Sequence, residues 1–422
     1  MSATPSPVIR FVKEIAEAPA KLEPAVARML ANANKNASRN TYLTRDEDWT
    51  RDQAQKLIEK APAKKPLLYG APVALKDCFD LEGFITSSGS RFYAGHNPVA
   101  TTDSWVAARL KAAGAVITGK THLHQLAYGI TGENRDFGNC LQPDDASSLT
   151  GGSSSGAAAS IQEGSAIAAI GTDTGGSVRA PAAFCGLAGY RASLGMGSWQ
   201  GGAHLAQSFD TIGWLCRDLR DLPLLANALF GIAPETIAKP IRVACLRGGL
   251  MDECDSSVAA SMKEWEERLH SSGVRLQIFH ADFWSTAFEI YAPIQAHEAA
   301  VIHAGFYDEF EPAIADRLRW GASISEAELL QWRERHEDFN RQTMALFQQA
   351  DFLMLPAVPV PGLPADADHA TTRPRILRFT APASLAGLPA VVLPAPVAGM
   401  QLLAPRGRDA ALLAFAAGLS TR

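Results

Sequence analysis

One stretch of the chain, residues 149–186, leaves almost no room for large side chains. It reads LTGGSSSGAAASIQEGSAIAAIGTDTGGSVRAPAAFCG, and glycine, serine, alanine and threonine fill most of it. A flexible linker is the usual interpretation of a Gly/Ser run. Here two apolar segments interrupt the run, and Asp173 and Arg179 bracket a glycine pair, which a linker does not need. The tract therefore predicts a shaped surface built from closely packed small residues.

Two known motifs compete for this tract. A phosphate-binding loop would need the pattern G-x-x-x-x-G-K-[ST], but no lysine lies between Gly151 and Arg191. The run Gly152–Gly156 does satisfy G-x-S-x-G, the nucleophile elbow of α/β-hydrolases, with Ser154 as its serine. An elbow follows a buried strand, whereas the preceding NCLQPDDASSLT is polar and rich in turn residues. Ser154 as the nucleophile therefore remains only a rival mechanism.

The composition is that of a globular protein with a large core. Of 422 residues, 47% are hydrophobic and 20% are charged. A net charge of −5 gives no reason to expect nucleic-acid or anionic-membrane binding. The N-terminal segment carries charges at Arg10, Lys13, Glu14 and Glu17, and no later segment reaches about 18 consecutive apolar residues. We expect a soluble, cytoplasmic protein that acts on a small molecule.

The cysteine and histidine patterns do not point to disulfides or to a metal. Six cysteines are spread unevenly without a C-x-x-C pair, so reduced thiols are expected. His122 and His124 stand two residues apart, but no acidic or thiol cluster accompanies them. No metal site is predicted.

Helical and strand patterns alternate in the first half of the chain. TTDSWVAARLKAAGAVITGKT predicts a helix that is capped by Thr102 or Asp103 and ends at Gly114, followed by a strand at 115–118. The same order returns with a helix at 157–162 and a strand at 166–170. Such units predict an α/β fold with a mixed or parallel sheet that is covered by helices.

The two Ser/Gly clusters around Ser153 and Ser177 resemble a known signature when they are taken together. The amidase signature family of serine hydrolases has GGSSxG, then a helix and a strand, then GTDxGGSxRxPAxxxG, and this sequence matches nearly every position. Upstream, YGAPVALKDCFDLEGFITSSGS is similar to the family's lysine segment, with Lys76 at the place of its catalytic lysine. GAVITGKTHLHQLAYGITGEN, QSFDTIGWLCRDLRDL and FTAPASLAGLPAVVLP are also similar to family segments.

The resemblance implies a catalytic triad of Ser177, Ser153 and Lys76. Ser177 would be the nucleophile, Ser153 the proton relay, and Lys76 the terminal base. An exposed lysine, with a pKa near ~10.4, is too basic to serve at neutral pH, but burial among apolar neighbours lowers that pKa. The resemblance also implies a cis peptide bond before Ser153.

The other roles that the resemblance implies surround this triad. The backbone N–H groups of Thr174, Gly175, Gly176 and Ser177 would form an oxyanion hole, which their glycines make sterically accessible. The expected supporting residues are Ser154, Asp173 and Arg179, with Ser154 and Ser155 orienting Lys76 or the turn. Tyr128 and Gln125 are expected to contact substrate.

The fold and the activity follow from the same resemblance. We expect an α/β fold of the amidase-signature type, with a central mixed β-sheet flanked by helices on both faces and the site at its edge. It would form a single domain over 1–422, with an N-terminal helical region (1–65), a catalytic core (66–230), a helical region that shapes the substrate entrance (234–350) and a C-terminal return to the core (351–422). Proline-interrupted apolar stretches predict strands in this last part, with the prolines at edges and in loops.

The expected activity is hydrolysis of a small-molecule amide through an acyl-Ser177 intermediate, without cofactor or metal. A carbamate or urea-derivative hydrolase and the amidase subunit of a tRNA-dependent amidotransferase stay open as alternatives. A homodimer is one option for the oligomeric state.

Overall fold

The fold is built on one 11-stranded β-sheet. The computed structural model describes residues 4–60, 62–233, 235–237 and 240–420. Within these ranges the strands are β1 (Tyr42–Thr44), β2 (Pro72–Lys76), β3 (Val116–Thr121), β4 (Ala168–Thr172), β5 (Ala188–Arg191), β6 (Ile212–Cys216), β7 (Arg242–Leu246), β8 (Arg275–Phe279), β9 (Phe352–Pro356), β10 (Ala390–Leu393) and β11 (Met400–Leu403).

The sheet is mixed, and its order is β1-β3-β2-β4-β6-β5-β10-β11-β9-β7-β8. The pairs β2–β3, β2–β4, β7–β8 and β7–β9 are parallel. The others are antiparallel. Strands β2, β4, β6 and β9 are buried along their whole length, as expected for strands covered on both faces. The predicted α/β class with a mixed sheet is confirmed.

Helices cover both faces of this sheet. The α-helices of the described residues are α1 (Pro7–Glu17), α2 (Leu22–Lys35), α3 (Glu47–Lys60), α4 (Arg91–His96), α5 (Trp105–Ala112), α6 (Ser155–Gln162), α7 (Arg179–Phe184), α8 (Leu222–Phe230), α9 (Ser256–Ser271), α10 (Ala287–Ile302), α11 (Pro312–Ser323), α12 (Glu326–Leu346), α13 (Thr372–Leu385) and α14 (Asp409–Leu419). Among them, none is both long and apolar enough to cross a bilayer.

The start of α5 differs from the sequence expectation. Ser104 is the N-cap, and its side chain accepts a hydrogen bond from the N–H of Ala107 at 3.3 Å. The predicted cap Asp103 instead accepts from the N–H of Glu82 and pairs with Lys111. A tertiary contact and an ion pair thus occupy the carboxylate, and the cap moves one residue along the chain.

The C-terminal prolines also behave differently from the prediction. Residues 372–385 form a helix, α13, although they contain Pro374 and Pro382. Pro374 lies in the first helical turn, where a backbone N–H has no helical partner to lose. Pro356 ends β9, which is interior rather than an edge strand. β7 pairs only with residues 352–354 of β9, so the missing N–H of Pro356 interrupts no bond to β7.

The sheet brings two polar side chains together inside the molecule. Lys76 is the last residue of β2 and Thr172 is the last residue of β4, and these neighbouring strands are parallel. Both side chains therefore emerge at the same, carboxyl end of the sheet. The predicted position at a sheet edge is wrong, because β2 and β4 are interior strands.

The N-cap of α5 gives a test of the fold. Ser104 is fully buried and its hydroxyl accepts the hydrogen bond that caps the helix. We expect Ser104→Ala to lower the free energy of unfolding by about 1 kcal/mol, measured from urea denaturation. The control is Ser323→Ala on an exposed helix end, which should change it by less than about 0.5 kcal/mol. Equal effects of the two substitutions would contradict this assignment of the cap.

Candidate active site

The amine of Lys76 is fully buried beside two hydroxyl groups. Its Nζ lies 2.7 Å from Ser153 Oγ and 2.8 Å from Thr172 Oγ1. It forms no ion pair with any carboxylate in the described part of the chain, whereas the other deeply buried lysine, Lys120, lies 2.6 Å from the carboxylate of Asp77. Burial lowers the pKa of Lys76 to about 8. About a tenth of this amine is therefore uncharged at pH 7, far more than of an exposed lysine.

The turn that carries Ser153 is held by its own serines. The peptide bond between Gly152 and Ser153 is cis. Ser154 Oγ donates to the carbonyl of Thr172 at 3.2 Å, and Ser155 Oγ donates to the carbonyl of Ser153 at 3.4 Å. Ser154 and Ser155 therefore fix the turn, and the second hydroxyl at Lys76 comes from Thr172, which the sequence analysis did not single out.

Ser177 lies in the loop between β4 and α7. The N–H of Ser154 donates to the carbonyl of Ser177 at 3.1 Å, which ties the two Ser/Gly clusters together. Ser177 is 4% exposed, and it lines a pocket. Its hydroxyl makes no hydrogen bond to another described residue. The structure thus brings Lys76 and Ser153 into contact, with Ser177 beside them and its hydroxyl unengaged.

Asp173 organises this loop. Its carboxylate accepts hydrogen bonds from the N–H groups of Gly176 at 2.8 Å and Val178 at 3.2 Å. The guanidinium of Arg179 lies 2.9 Å from it and that of Arg191 lies 2.8 Å from it. All three charged side chains are fully buried. The two arginines hold the pKa of Asp173 well below its usual range against the opposing effect of burial.

Asp173 and Arg179, the expected supporting residues, form an ion pair beside Ser177, and Arg191 is the third member of this cluster. Arg191 lies in β5, outside the Ser/Gly tract. No local motif marks it in the sequence. Its charge-balancing role is visible only when β5 and the loop are seen together.

The loop leaves three backbone donors free among the described contacts. The N–H groups of Thr174, Gly175 and Ser177 make no hydrogen bond to a described residue, while that of Gly176 donates to Asp173. The expectation that Gly176 supplies an oxyanion donor is therefore not met by this loop conformation. Gly176 has φ +122°, and a Cβ on it would lie 2.7 Å from the side chain of Thr380. Glycine is required there by both conformation and space.

The pocket at Ser177 has walls from several parts of the chain. Tyr128 lines it, as do Tyr291 and Gln295 of α10 and Arg373 and Leu377 of α13. The last four were missed from the sequence, because α10 and the first half of α13 lie outside the segments that the sequence analysis singled out.

Gln125, expected to contact substrate, is engaged elsewhere. Its amide donates to the carboxylate of Asp136 at 2.6 Å, and its carbonyl accepts from the N–H of Glu311 at 2.8 Å. Gln125 is not among the residues that line the pocket at Ser177. The contact with Glu311 ties its loop to the start of α11.

The two neighbouring histidines have separate partners. His122 Nε2 lies 2.8 Å from the carbonyl of Gly138, and burial lowers the pKa of His122 to about 4. His124 Nε2 lies 3.3 Å from the carboxylate of Glu311. Across the described ranges, no group of three or more histidine, cysteine, aspartate or glutamate side chains is placed to hold a metal ion.

The buried charge cluster gives a test of the site's architecture. Replacing Asp173 by Asn leaves the guanidinium groups of Arg179 and Arg191 buried without a carboxylate. We expect Asp173→Asn to lower the free energy of unfolding by about 3 to 5 kcal/mol, measured by chemical denaturation. The exposed pair of Asp338 with Arg341 is the control, and Asp338→Asn should cost less than about 1 kcal/mol. A loss below about 1 kcal/mol for Asp173→Asn would contradict this account.

Comparison with known proteins gives a consistent family. The family model described as Amidase matches residues 24–413. The 2-amino-5-chloromuconic acid deaminase of Comamonas testosteroni is 31% identical over 414 residues, which cover 90% of this chain and 88% of the relative. A glutamyl-tRNA(Gln) amidotransferase subunit of Thermus thermophilus is 32% identical over 415 residues, which cover 85% of this chain and 86% of the relative.

A solved structure agrees with these sequence matches. A crystal structure described as an amidase superposes with a TM-score of 0.89 at 28% identity, covering 97% of this chain and 98% of the other. The resemblance drawn from the Ser/Gly tract is therefore confirmed, and the chain belongs to the amidase signature family of enzymes that act on C–N bonds.

Proposed function

We propose that this protein hydrolyses a small-molecule amide through an ester formed between the acyl group and Ser177. The single observation that carries the proposal is the amine of Lys76. It is fully buried, it forms no ion pair with a described carboxylate, and it lies 2.7 Å from Ser153 Oγ. Such an amine gains more from losing its proton than an exposed lysine does, so it is suited to accept a proton from a hydroxyl.

In the proposed mechanism the proton moves along two hydroxyls. Ser177 Oγ attacks the carbonyl carbon and its proton passes to Ser153, whose own proton passes to Lys76. Thr172 Oγ1, 2.8 Å from the amine, accepts an N–H of Lys76 and so aims the lone pair at Ser153. Because the Ser177 hydroxyl is unengaged, it is free to rotate toward Ser153 when substrate enters.

The negative charge that develops on the carbonyl oxygen of the substrate must be stabilised by hydrogen-bond donors. The N–H groups of Thr174, Gly175 and Ser177 make no other described hydrogen bond and lie beside the nucleophile. Pre-oriented donors of this kind are worth about 3 to 4 kcal/mol each in the transition state. The carboxylate of Asp173 accepts the N–H of Gly176, which helps to fix the loop, and we assign the other three N–H groups as the oxyanion donors.

The remaining steps reverse the proton path. The proton on Lys76 returns through Ser153 to the departing nitrogen, and the C–N bond breaks to leave an acyl-Ser177 ester. A water molecule then attacks this ester, giving its proton to the same relay, and Ser177 leaves with the proton that the relay returns. Carboxylic acid and amine are the products.

Two other substrate types fit the same machinery. A carbamate or a urea derivative presents the same carbonyl and a nitrogen leaving group, so it would follow the same steps. The similarity to the glutamyl-tRNA(Gln) amidotransferase protein of Thermus thermophilus over 85% of this chain favours a second candidate, the amidase subunit of such a complex. Hydrolysis of small amides by the isolated chain would favour the free enzyme, and activity only with added subunits would favour the complex.

Covalent labelling tests the nucleophile. A fluorophosphonate probe should modify Ser177, identified by mass spectrometry, and Ser177→Ala should abolish both labelling and turnover. Lys76→Met should slow labelling by about 10³-fold, because the general base is lost. Ser160→Ala is the matched control and should be labelled like the wild type. Ser160 is a buried serine of α6 whose hydroxyl donates to the carbonyl of Ala157. Modification at Ser154 would instead support the nucleophile elbow.

The pH dependence of labelling tests the base. The active form of Lys76 is the deprotonated amine, and its pKa is lowered to about 8. The second-order rate constant for labelling should therefore rise about tenfold per pH unit below about 8 and level off above it. A rate that is flat from pH 5 to pH 10, on a protein shown by circular dichroism to stay folded, would rule out Lys76 as the base.

A further inference from the structure

Arg373 has a buried guanidinium nitrogen without a partner in the pocket at Ser177. This arginine lies in the first turn of α13, and its Nε is buried with no hydrogen-bond partner. None of its guanidinium nitrogens bonds to a residue that the structure describes, and no carboxylate there pairs with it. Arg373 lines both the pocket of Ser177 and the wider cleft outside it. It therefore stands at the passage between them.

A second arginine faces the same cleft. The guanidinium carbon of Arg317, on α11, lies 4.6 Å from the centre of the Tyr128 ring, and its Nε donates to the carbonyl of Ala313 at 2.9 Å. Its two terminal nitrogens have no partner in the described part of the chain. Burial, and to a lesser degree the charge of Arg373, lower the pKa of Arg317 to about 9. The two cations thus disfavour each other, and no described carboxylate pairs with either of them.

The carboxylates of the cleft have other partners. Glu311 lies 3.3 Å from His124 Nε2 and also accepts the N–H of Arg135. Glu133 accepts the hydroxyl of Thr131 at 2.6 Å. Asp368 accepts the N–H of Ala370 at 2.9 Å. The charge of Glu311 opposes part of the lowering of the Arg317 pKa, but among the described residues no carboxylate forms an ion pair with the guanidinium of Arg317 or Arg373.

The two arginines that are fully buried among the described residues both have a carboxylate partner. Arg179 and Arg191 share the carboxylate of Asp173, and each makes further hydrogen bonds. Arg373 and Arg317 are partly exposed, and a guanidinium that is largely removed from water without a partner binds a carboxylate strongly through charge-assisted, often bidentate hydrogen bonds. A planar anion between Arg373 and Arg317 would satisfy both groups.

From this arrangement we propose that the substrate carries a carboxylate, which binds at Arg373 and Arg317 while the scissile carbonyl lies at Ser177. This inference rests on the proposed function for the position of the carbonyl, but the anion site itself does not depend on catalysis. Tyr128, which lines the Ser177 pocket and lies under the guanidinium of Arg317, forms the apolar wall between the two ends of the ligand. The substrate class is a short amide with a carboxylate a few bonds from the reacting carbon.

Paired substrates test this specificity. The monoamides of malonic, succinic, maleic and glutaric acids, together with N-acetylglycine, are compared with the alkyl amides that lack the carboxylate. We expect at least one acid to have a kcat/KM about 100-fold above that of its uncharged counterpart. Arg373→Gln should reduce this preference by about the same factor, chiefly through KM. Arg317→Gln should also reduce it.

Arg375→Gln is the matched control. Arg375 stands two residues along on α13 and contacts the carbonyl of Glu253 and, at 3.5 Å, the carboxylate of Asp255, outside the pocket. Its substitution should leave the preference for the acid as in the wild type. If the wild type is labelled at Ser177 yet cleaves no acid better than its uncharged counterpart, the carboxylate site is wrong and the proposed function stands.

A binding measurement separates the two proposals. The products of the first four acids are dicarboxylates, so malonate, succinate, maleate and glutarate are titrated calorimetrically into wild type, Arg373→Gln and Arg375→Gln. Binding of one of them that Arg373→Gln weakens at least tenfold, and Arg375→Gln does not, supports the anion site even if Ser177→Ala were to retain turnover. If none of the four binds to the wild type, the anion site is overturned without bearing on Ser177.

Discussion

The catalytic account depends on one buried amine that forms no ion pair with a carboxylate of the described residues. Lys76 ends an interior strand of the sheet, so its position is fixed by the pairing of β2 with β3 and β4. A charged ammonium there would have to be desolvated without a carboxylate at hand, and the pKa of Lys76 is lowered to about 8 as a result. Lys120, equally buried, instead lies 2.6 Å from the carboxylate of Asp77. The same residue type thus serves as a structural cation in one place and, in the proposed mechanism, as a base in the other.

The charged and the reactive groups of the site are kept apart. Asp173 forms ion pairs with Arg179 and Arg191, and its carboxylate accepts hydrogen bonds from backbone N–H groups of the loop that holds Ser177. Lys76 contacts only neutral hydroxyls. If the carboxylate of Asp173 were at hydrogen-bond distance from the amine, it would raise the pKa of Lys76 and remove the base. The loop is thus fixed by a strong ionic network that lies outside contact with the amine.

The central residues of the site lie in local motifs and could be predicted from the sequence. The other residues depend on contacts between distant parts of the chain and could not. Lys76, Ser153 and Ser177 were singled out because the short segments that contain them resemble the amidase signature. Thr172 lies inside the tract, but its hydrogen bond with Lys76 depends on β2 and β4 being neighbours in the sheet. The sequence does not show that pairing. The proline prediction failed for α13, which has Pro374 in its first turn, where proline is tolerated, and also Pro382 in its interior. The role proposed for Arg373 could not be predicted from the sequence. It rests on a guanidinium that has no partner among the described residues, and no sequence pattern indicates this.

The central claim is that Lys76 is a weak enough base to lose its proton near physiological pH. It can be measured directly, without substrate, by incorporating lysine labelled with ¹³C at Cε and ¹⁵N at Nζ and following the side-chain resonances by NMR as the pH is raised. The resonance absent from Lys76→Met identifies the residue. The account predicts a titration midpoint at about 8 for this one lysine. A midpoint near ~10.4, the value of an exposed lysine, would contradict it.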